Sequence, residues 1–91
     1  MATIHVYPPY RAIIGADELE LDFPPGTSLR RVLELLAELY PAFRPFAECP
    51  TSEFLWGQLI VHANNDIVGL DSPLQTTDTL DLLPPIAGGS R

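Results

Sequence analysis

Apolar and polar side chains alternate along several short stretches of this chain, and along one stretch they recur at helical spacing. Thr3-Ile4-His5-Val6-Tyr7 alternates as a strand does, with Ile4 and Val6 on one face. Pro8-Pro9 ends it, Tyr10 to Ile14 is expected as a short extended piece, and Gly15-Ala16-Asp17 as a turn. Leu19, Leu21 and Phe23 then alternate with Glu20 and Asp22, which predicts a half-buried strand forming a hairpin with the first. Pro24-Pro25-Gly26 breaks that strand, and Thr27 or Ser28 is placed to cap a helix. Leu29, Val32, Leu33, Leu36 and Leu39-Tyr40 lie at helical spacing, with Arg30, Arg31, Glu34 and Glu38 opposite. The spacing predicts a helix over Ser28–Tyr40, stopped by Pro41.

Ala42 to Gly57, interrupted by Pro45 and Pro50, reads as an irregular loop whose Phe43, Phe46, Phe54 and Trp56 tuck under the core. A third strand is expected over Gln58–Ala63, a turn at Asn64-Asn65-Asp66, and a brief strand at Ile67-Val68. Asp71-Ser72-Pro73 is a further turn. Thr79–Leu83 is the last strand, with Leu80 and Leu82 on one face, and Pro84-Pro85 stops it. Two strands, one helix and three more strands imply an α+β fold with the helix packed on one face of a mixed sheet of four to five strands. The helix is a crossover long enough to bring the first and last strands side by side in parallel. That arrangement is the β-grasp, or ubiquitin-like, roll. Residues 1–87 are expected as the domain and residues 88–91 as its tail.

At 91 residues the chain suits one domain, and its 46% apolar content suffices for one core without staples. No apolar run nears the roughly 20 residues of a membrane helix, and Met1-Ala2-Thr3-Ile4-His5 lacks the features of a signal peptide. A soluble, cytoplasmic protein is the expectation. The net charge of −7 argues against nucleic acid and anionic membranes as partners, since both are bound through Lys and Arg. The single cysteine, Cys49, excludes an internal disulfide. It reads as a loop or core thiol, because no sequence feature sets a base beside it. His5 and His62 fall on outward parity with no spaced Cys or carboxylate companion, so no metal site is expected. No phosphate loop or Ser/His/Asp arrangement is visible, and the chain reads as carrying no catalytic residues or permanently bound cofactor of its own.

The end of the chain is more specific. Leu70-Asp71-Ser72-Pro73-Leu74, followed by Thr77-Asp78-Thr79-Leu80-Asp81-Leu82-Leu83-Pro84-Pro85-Ile86-Ala87-Gly88-Gly89, resembles the sulfur-carrier subunit of molybdopterin synthase, of the MoaD/ThiS-like family. Arg11 looks like that family's Arg before its first turn, and Leu59 to Asn64 like its third strand and Asn turn. Thr77 stands where the family usually has Gly, and Ser90-Arg91 come after the second Gly, where the family usually ends.

The resemblance implies a co-substrate protein. An E1-like adenylating enzyme would use ATP to activate the carboxylate of Gly89. A sulfur donor would convert it to a thiocarboxylate, and the large subunit of molybdopterin synthase, or another acceptor enzyme, would take the sulfur. A peptidase removing Ser90-Arg91 is the further partner implied. A carrier for thiamine, cysteine or tungsten-cofactor assembly, a ubiquitin-like modifier joined through Gly89 to a lysine, and a plain interaction module stay open as alternatives. The residues suit insertion into a narrow channel. Gly88 and Gly89 carry no side chain, Pro84-Pro85 stiffens the base of the tail, and Pro85 to Gly89 reaches about 15 Å. Strand parity adds an expected partner surface. Tyr7 and Leu83 face outward on neighbouring strands, with Ile67 as a third member, continuing into Pro84, Pro85, Ile86 and Ala87.

Overall fold

The computed structural model describes residues 1–85. Strand β1 (Ala2–Val6) buries Ala2, Ile4 and Val6 and leaves Thr3 and His5 half-buried, the alternation its sequence carries. On one side it pairs antiparallel with β2 (Glu18–Leu21), from Ala2 opposite Leu21 to His5 opposite Glu18. Between them lies a one-turn helix, α1 (Tyr10–Ile14). After the two-residue β3 (Thr27–Ser28) comes the main helix, α2 (Leu29–Leu39). Ser28 caps it, its Oγ accepting from the Arg31 amide at 3.3 Å. Leu29, Val32, Leu33, Leu36 and Ala37 are buried, and the first four join the inward side chains of the sheet in one core cluster.

The chain then winds through a 3-10 turn (Pro41–Phe43), α3 (Arg44–Ala47) and α4 (Ser52–Trp56) before returning to the sheet. Strands β4 (Ile60–Ala63) and β5 (Asp66–Ile67) form a hairpin whose turn residues Asn64 and Asn65 sit at φ 53° and 76°, a conformation asparagine tolerates. Strand β6 (Pro73–Leu74) pairs with β3 in a small second sheet. Strand β7 (Thr79–Leu83) enters the centre of the main sheet, parallel to β1 and antiparallel to β4. The order β2-β1-β7-β4-β5 makes the first and last strands parallel neighbours, as the element order implies.

Asn64 fixes where β7 begins. Its Oδ1 accepts from the Thr79 amide at 3.1 Å, and its Nδ2 donates to Asp78 Oδ1 at 3.0 Å. A second close fit is at Gly69, where an added Cβ would meet Ser52 Oγ at 2.7 Å. That hydroxyl accepts from the Leu70 amide at 2.8 Å, so α4 and the approach to β6 are held through a glycine-sized gap.

Four local expectations are corrected. Tyr10 to Ile14 is helical, not extended. Tyr10, Ala12 and Ile14 satisfy a two-residue alternation, but Tyr10 and Ile14 are also one helical turn apart, and both are buried. Gly15, at φ 84°, ends that turn as a left-handed cap. Residues 42–57 are mostly helical turns, not an irregular loop. Pro41 and Pro45 occupy first-turn positions, where a missing N–H costs no hydrogen bond, and Thr51 caps α4 through the Phe54 amide at 3.1 Å. Leu39 is 58% exposed, because the buried stripe continues through Leu36, Ala37 and Tyr40 and passes it by. Of the four aromatics expected under the core, Phe43 is buried and Phe46 and Trp56 are half-buried, while Phe54 is exposed. Helix α4 turns Leu55 inward and ties Trp56 Nε1 to the Val68 carbonyl at 3.1 Å, which leaves Phe54 on the outside.

Candidate functional site

The face of the sheet opposite α2 carries side chains of outward parity, and register sorts them into rows. One row pairs Ile60 with Leu83 and extends to Tyr7, whose amide donates to the Leu82 carbonyl at 3.1 Å. Tyr7 is 41% exposed and Leu83 half-buried. The next row runs across all five strands as Glu18, His5, Asp81, His62 and Ile67. His5 Nδ1 lies 3.6 Å from Glu18 Oε1. Carboxylates and imidazoles thus alternate along one side of an apolar strip.

Where the two rows meet β4 and β5 there is an open groove of about 370 Å³, lined by Ile60, His62, Ile67, Leu83 and Pro84. It lies beside the point where β7 gives way to Pro84-Pro85. A second hollow, about 300 Å³ between α2 and α3, is lined by Glu34, Ala37, Glu38, Arg44, Ala47 and Glu48. Three carboxylates on solvated helix faces there fit no apolar partner, and that hollow is remote from β7.

Of the sequence-predicted site residues, the groove brings together Ile67, Leu83 and Pro84. Tyr7 stands on the other side of Leu83, on the β1 flank, and contributes to the strip rather than to the groove. Pro85 is half-buried at the end of the described chain. Ile86, Ala87, Gly88 and Gly89 lie outside the described residues, as does the expected boundary between residues 87 and 88. Parity sets His62, and Ile60 with it, on the outward face between the buried Leu59, Val61 and Ala63, but only the β4–β7 register sets Ile60 opposite Leu83 and His62 opposite Asp81.

The titratable groups shifted from their ordinary values are elsewhere. Burial pushes the Tyr10 hydroxyl up, and it donates to the Gln58 carbonyl. Burial also pushes the Cys49 thiol up, with the Arg30 guanidinium acting the other way. Arg30 Nη1 holds the Cys49 carbonyl at 3.1 Å. Cys49 is buried, the core thiol the sequence suggests. Among the described residues no three His, Cys, Asp or Glu side chains gather as a metal site needs, and no helix is long and apolar enough to cross a membrane.

The sequence model of the ThiS family matches residues 4–89. The chain belongs to the ThiS family. Solved structures with the same fold include molybdopterin converting factor subunit 1 from Pyrococcus furiosus, at a TM-score of 0.75 and 22% identity, over 92% of this chain and 95% of that one. Small archaeal modifier protein 1 from Haloferax volcanii aligns at 0.73 and 19%, over 97% and 98% of the two chains. Its namesake from Methanosarcina acetivorans aligns at 0.73 and 25%, over 97% and 95%. No curated protein matches the chain in sequence. Membership fixes the class as a ThiS-like, ubiquitin-like β-grasp protein. The groove lies against the end of β7.

Proposed function

We propose that this ThiS-family protein is a sulfur carrier whose Gly89 carboxylate is activated and then converted to a thiocarboxylate for cofactor assembly of the molybdopterin kind. The observation that carries this reading is the apolar groove at the exit of β7, continuous with Pro84. A partner that fills the groove and the Tyr7–Leu83 strip holds the body while residues 86–89 enter its active site. The strip supplies apolar contact, and the row from Glu18 to His62 along its flank favours a partner with basic side chains there. The E1-like adenylating enzyme and the large synthase subunit, or another sulfur acceptor, are the partners this surface suits in turn.

The chemistry belongs to those partners. The Gly89 carboxylate attacks the α-phosphorus of ATP and pyrophosphate leaves. A sulfur nucleophile then attacks the carbonyl of the acyl-adenylate and displaces AMP. In a chain continuing into Ser90-Arg91 the Gly89 carbonyl is an amide, and no carboxylate is present there to be adenylated. A peptidase acting after Gly89 is therefore part of the proposal. To test it, the full-length chain and a form ending at Gly89 are each incubated with ATP, the cognate activating enzyme and a sulfur source, and the terminal mass is read. Only the shorter form should exchange oxygen for sulfur. Equal labelling of both forms would overturn the precursor step, and labelling of neither would overturn the carrier reading.

The similarity to two small archaeal modifier proteins favours a second reading, ligation of Gly89 to a lysine of another protein. A Gly-Gly remnant on partner lysines after proteolysis is its signature.

A further inference from the structure

All five cationic side chains are arginines, at positions 11, 30, 31, 44 and 91, and the chain holds no lysine. A guanidinium stays protonated and accepts no acyl group, whereas a lysine amine attacks an activated carbonyl once it loses its proton. The other strong side-chain nucleophile is the lone thiol, Cys49. It is 1% exposed. Its sulfur donates to the Pro45 carbonyl at 3.5 Å and accepts from Gln58 Nε2 at 3.7 Å. Burial pushes the thiol up, so the thiolate an attack needs is disfavoured as well as shut in.

That leaves the amino group of Met1. Strands β1 and β7 run parallel with Thr3 opposite Thr79, so Met1 lies at the entry end of β7 and Leu83 at its exit. About 20 Å of strand separates those two levels. The six residues that follow Leu83, through Gly89, reach about 20 Å at full extension. To meet Met1 the tail would have to be fully stretched and reversed at Pro84-Pro85, which leaves no slack for an attack geometry.

We infer that this chain is an acyl donor that cannot serve as its own acceptor: an activated Gly89 meets no amine or thiol within reach on its own body, and lysine-directed linkage of one copy to another has no site at which to start. The inference rests on the proposed activation of Gly89. The acceptor is then a sulfur or amine of a different molecule. With an amine, nitrogen attacks the Gly89 carbonyl, the C–N bond forms as the bond to AMP or to a thiolate breaks, and the amine proton passes to water. The product carries a single copy with no lysine on which to extend it. The imidazoles of His5 and His62, on the outer face, yield at most an acyl-imidazole that water reopens to the carboxylate.

The test needs no activating enzyme, so its outcome is independent of whether the proposed function holds. A chain ending at Gly89 is prepared as an alkyl thioester by intein cleavage and kept dilute at mildly alkaline pH, and masses are followed. The wild type should show only thioester and hydrolysed acid. Arg11→Lys puts an amine on α1, where the Arg11 amide donates to the Tyr7 carbonyl at 3.3 Å, close to the exit of β7. It should lose thioester to a closed product one water lighter than the acid. With the Met1 amine acetylated in both proteins, Arg31→Lys, on the solvent face of α2, should give joined copies when concentrated and the wild type should not. Closed or joined product from the wild type at the variants' rates would overturn the inference. So would variants as inert as the wild type, because the missing amine would then not be what keeps the tail silent.

Discussion

Strand β7 gives its residues two fates. Leu80 and Leu82 point inward and are each 1% exposed, while Thr79, Asp81 and Leu83 look outward from the same five residues. The inner face is sealed by α2 into a single cluster. The outer face bears an apolar strip, a flanking row of carboxylates and imidazoles, and a groove. Holding the fold together and presenting the proposed partner surface are thus assigned to alternate residues of one strand. The two tasks can be perturbed separately, although they share one short strand.

The largest effect should come from breaking the sealed face. Leu36→Ala removes a fully buried side chain from α2 and should destabilise by about 2–5 kcal/mol, read from denaturant unfolding. A midpoint unchanged within error would mean that the helix does not close the inner face. Next in size is Leu83→Glu on the open face. It should alter stability by less than about 1 kcal/mol while weakening the activating enzyme's Kd by about tenfold or more. Normal binding by that variant would remove the strip from the functional surface, and gross unfolding would show that Leu83 belongs to the core.

The smallest effect concerns the thiol behind the sealed face. Because burial raises the Cys49 thiol above its ordinary 9.0, the folded chain keeps its proton longer than the unfolded one does. Stability is then fully present below the ordinary thiol range and declines as pH climbs through the raised value. Unfolding free energy should therefore fall slightly between about pH 8 and 9.5, and Cys49→Ala should flatten that slope whatever it does to stability overall. Tyr10 is raised in the same direction from 10.0, so the comparison stays below its range. An unchanged slope in the variant would show the thiol to be reached by solvent.

Much of the sheet is legible in the sequence because a period of two is visible in five residues. Alternation marks Thr79–Leu83 to the residue, and element order implies the parallel pairing of β1 with β7. Helix α2 shows itself by eleven residues of stripe. The short helices do not, because one turn holds too few residues to display a period. Tyr10 and Ile14 fit either geometry, and Pro41 and Pro45 read as breaks although they begin helical turns. The pairing of β3 with β6 rests on two residues from each side and leaves no pattern at all. For the site, parity places Tyr7, Ile67 and Leu83 outward. It does not disclose the groove, because the groove depends on Ile60 standing opposite Leu83 and His62 opposite Ile67, and register between separate strands is written in no single segment. The tail is legible as a motif alone.

The placement of β7 also has a mechanical side. A partner that draws residues 86–89 into a narrow pocket pulls along the axis of a strand bonded on both edges, to β1 and to β4. With β1 parallel to it, tension between the amino terminus and the tail loads that ladder in shear, so its hydrogen bonds share the force instead of opening one after another. A body pulled in this way keeps its sheet intact. Had β1 run antiparallel to β7, the same tension would have opened the ladder from one end.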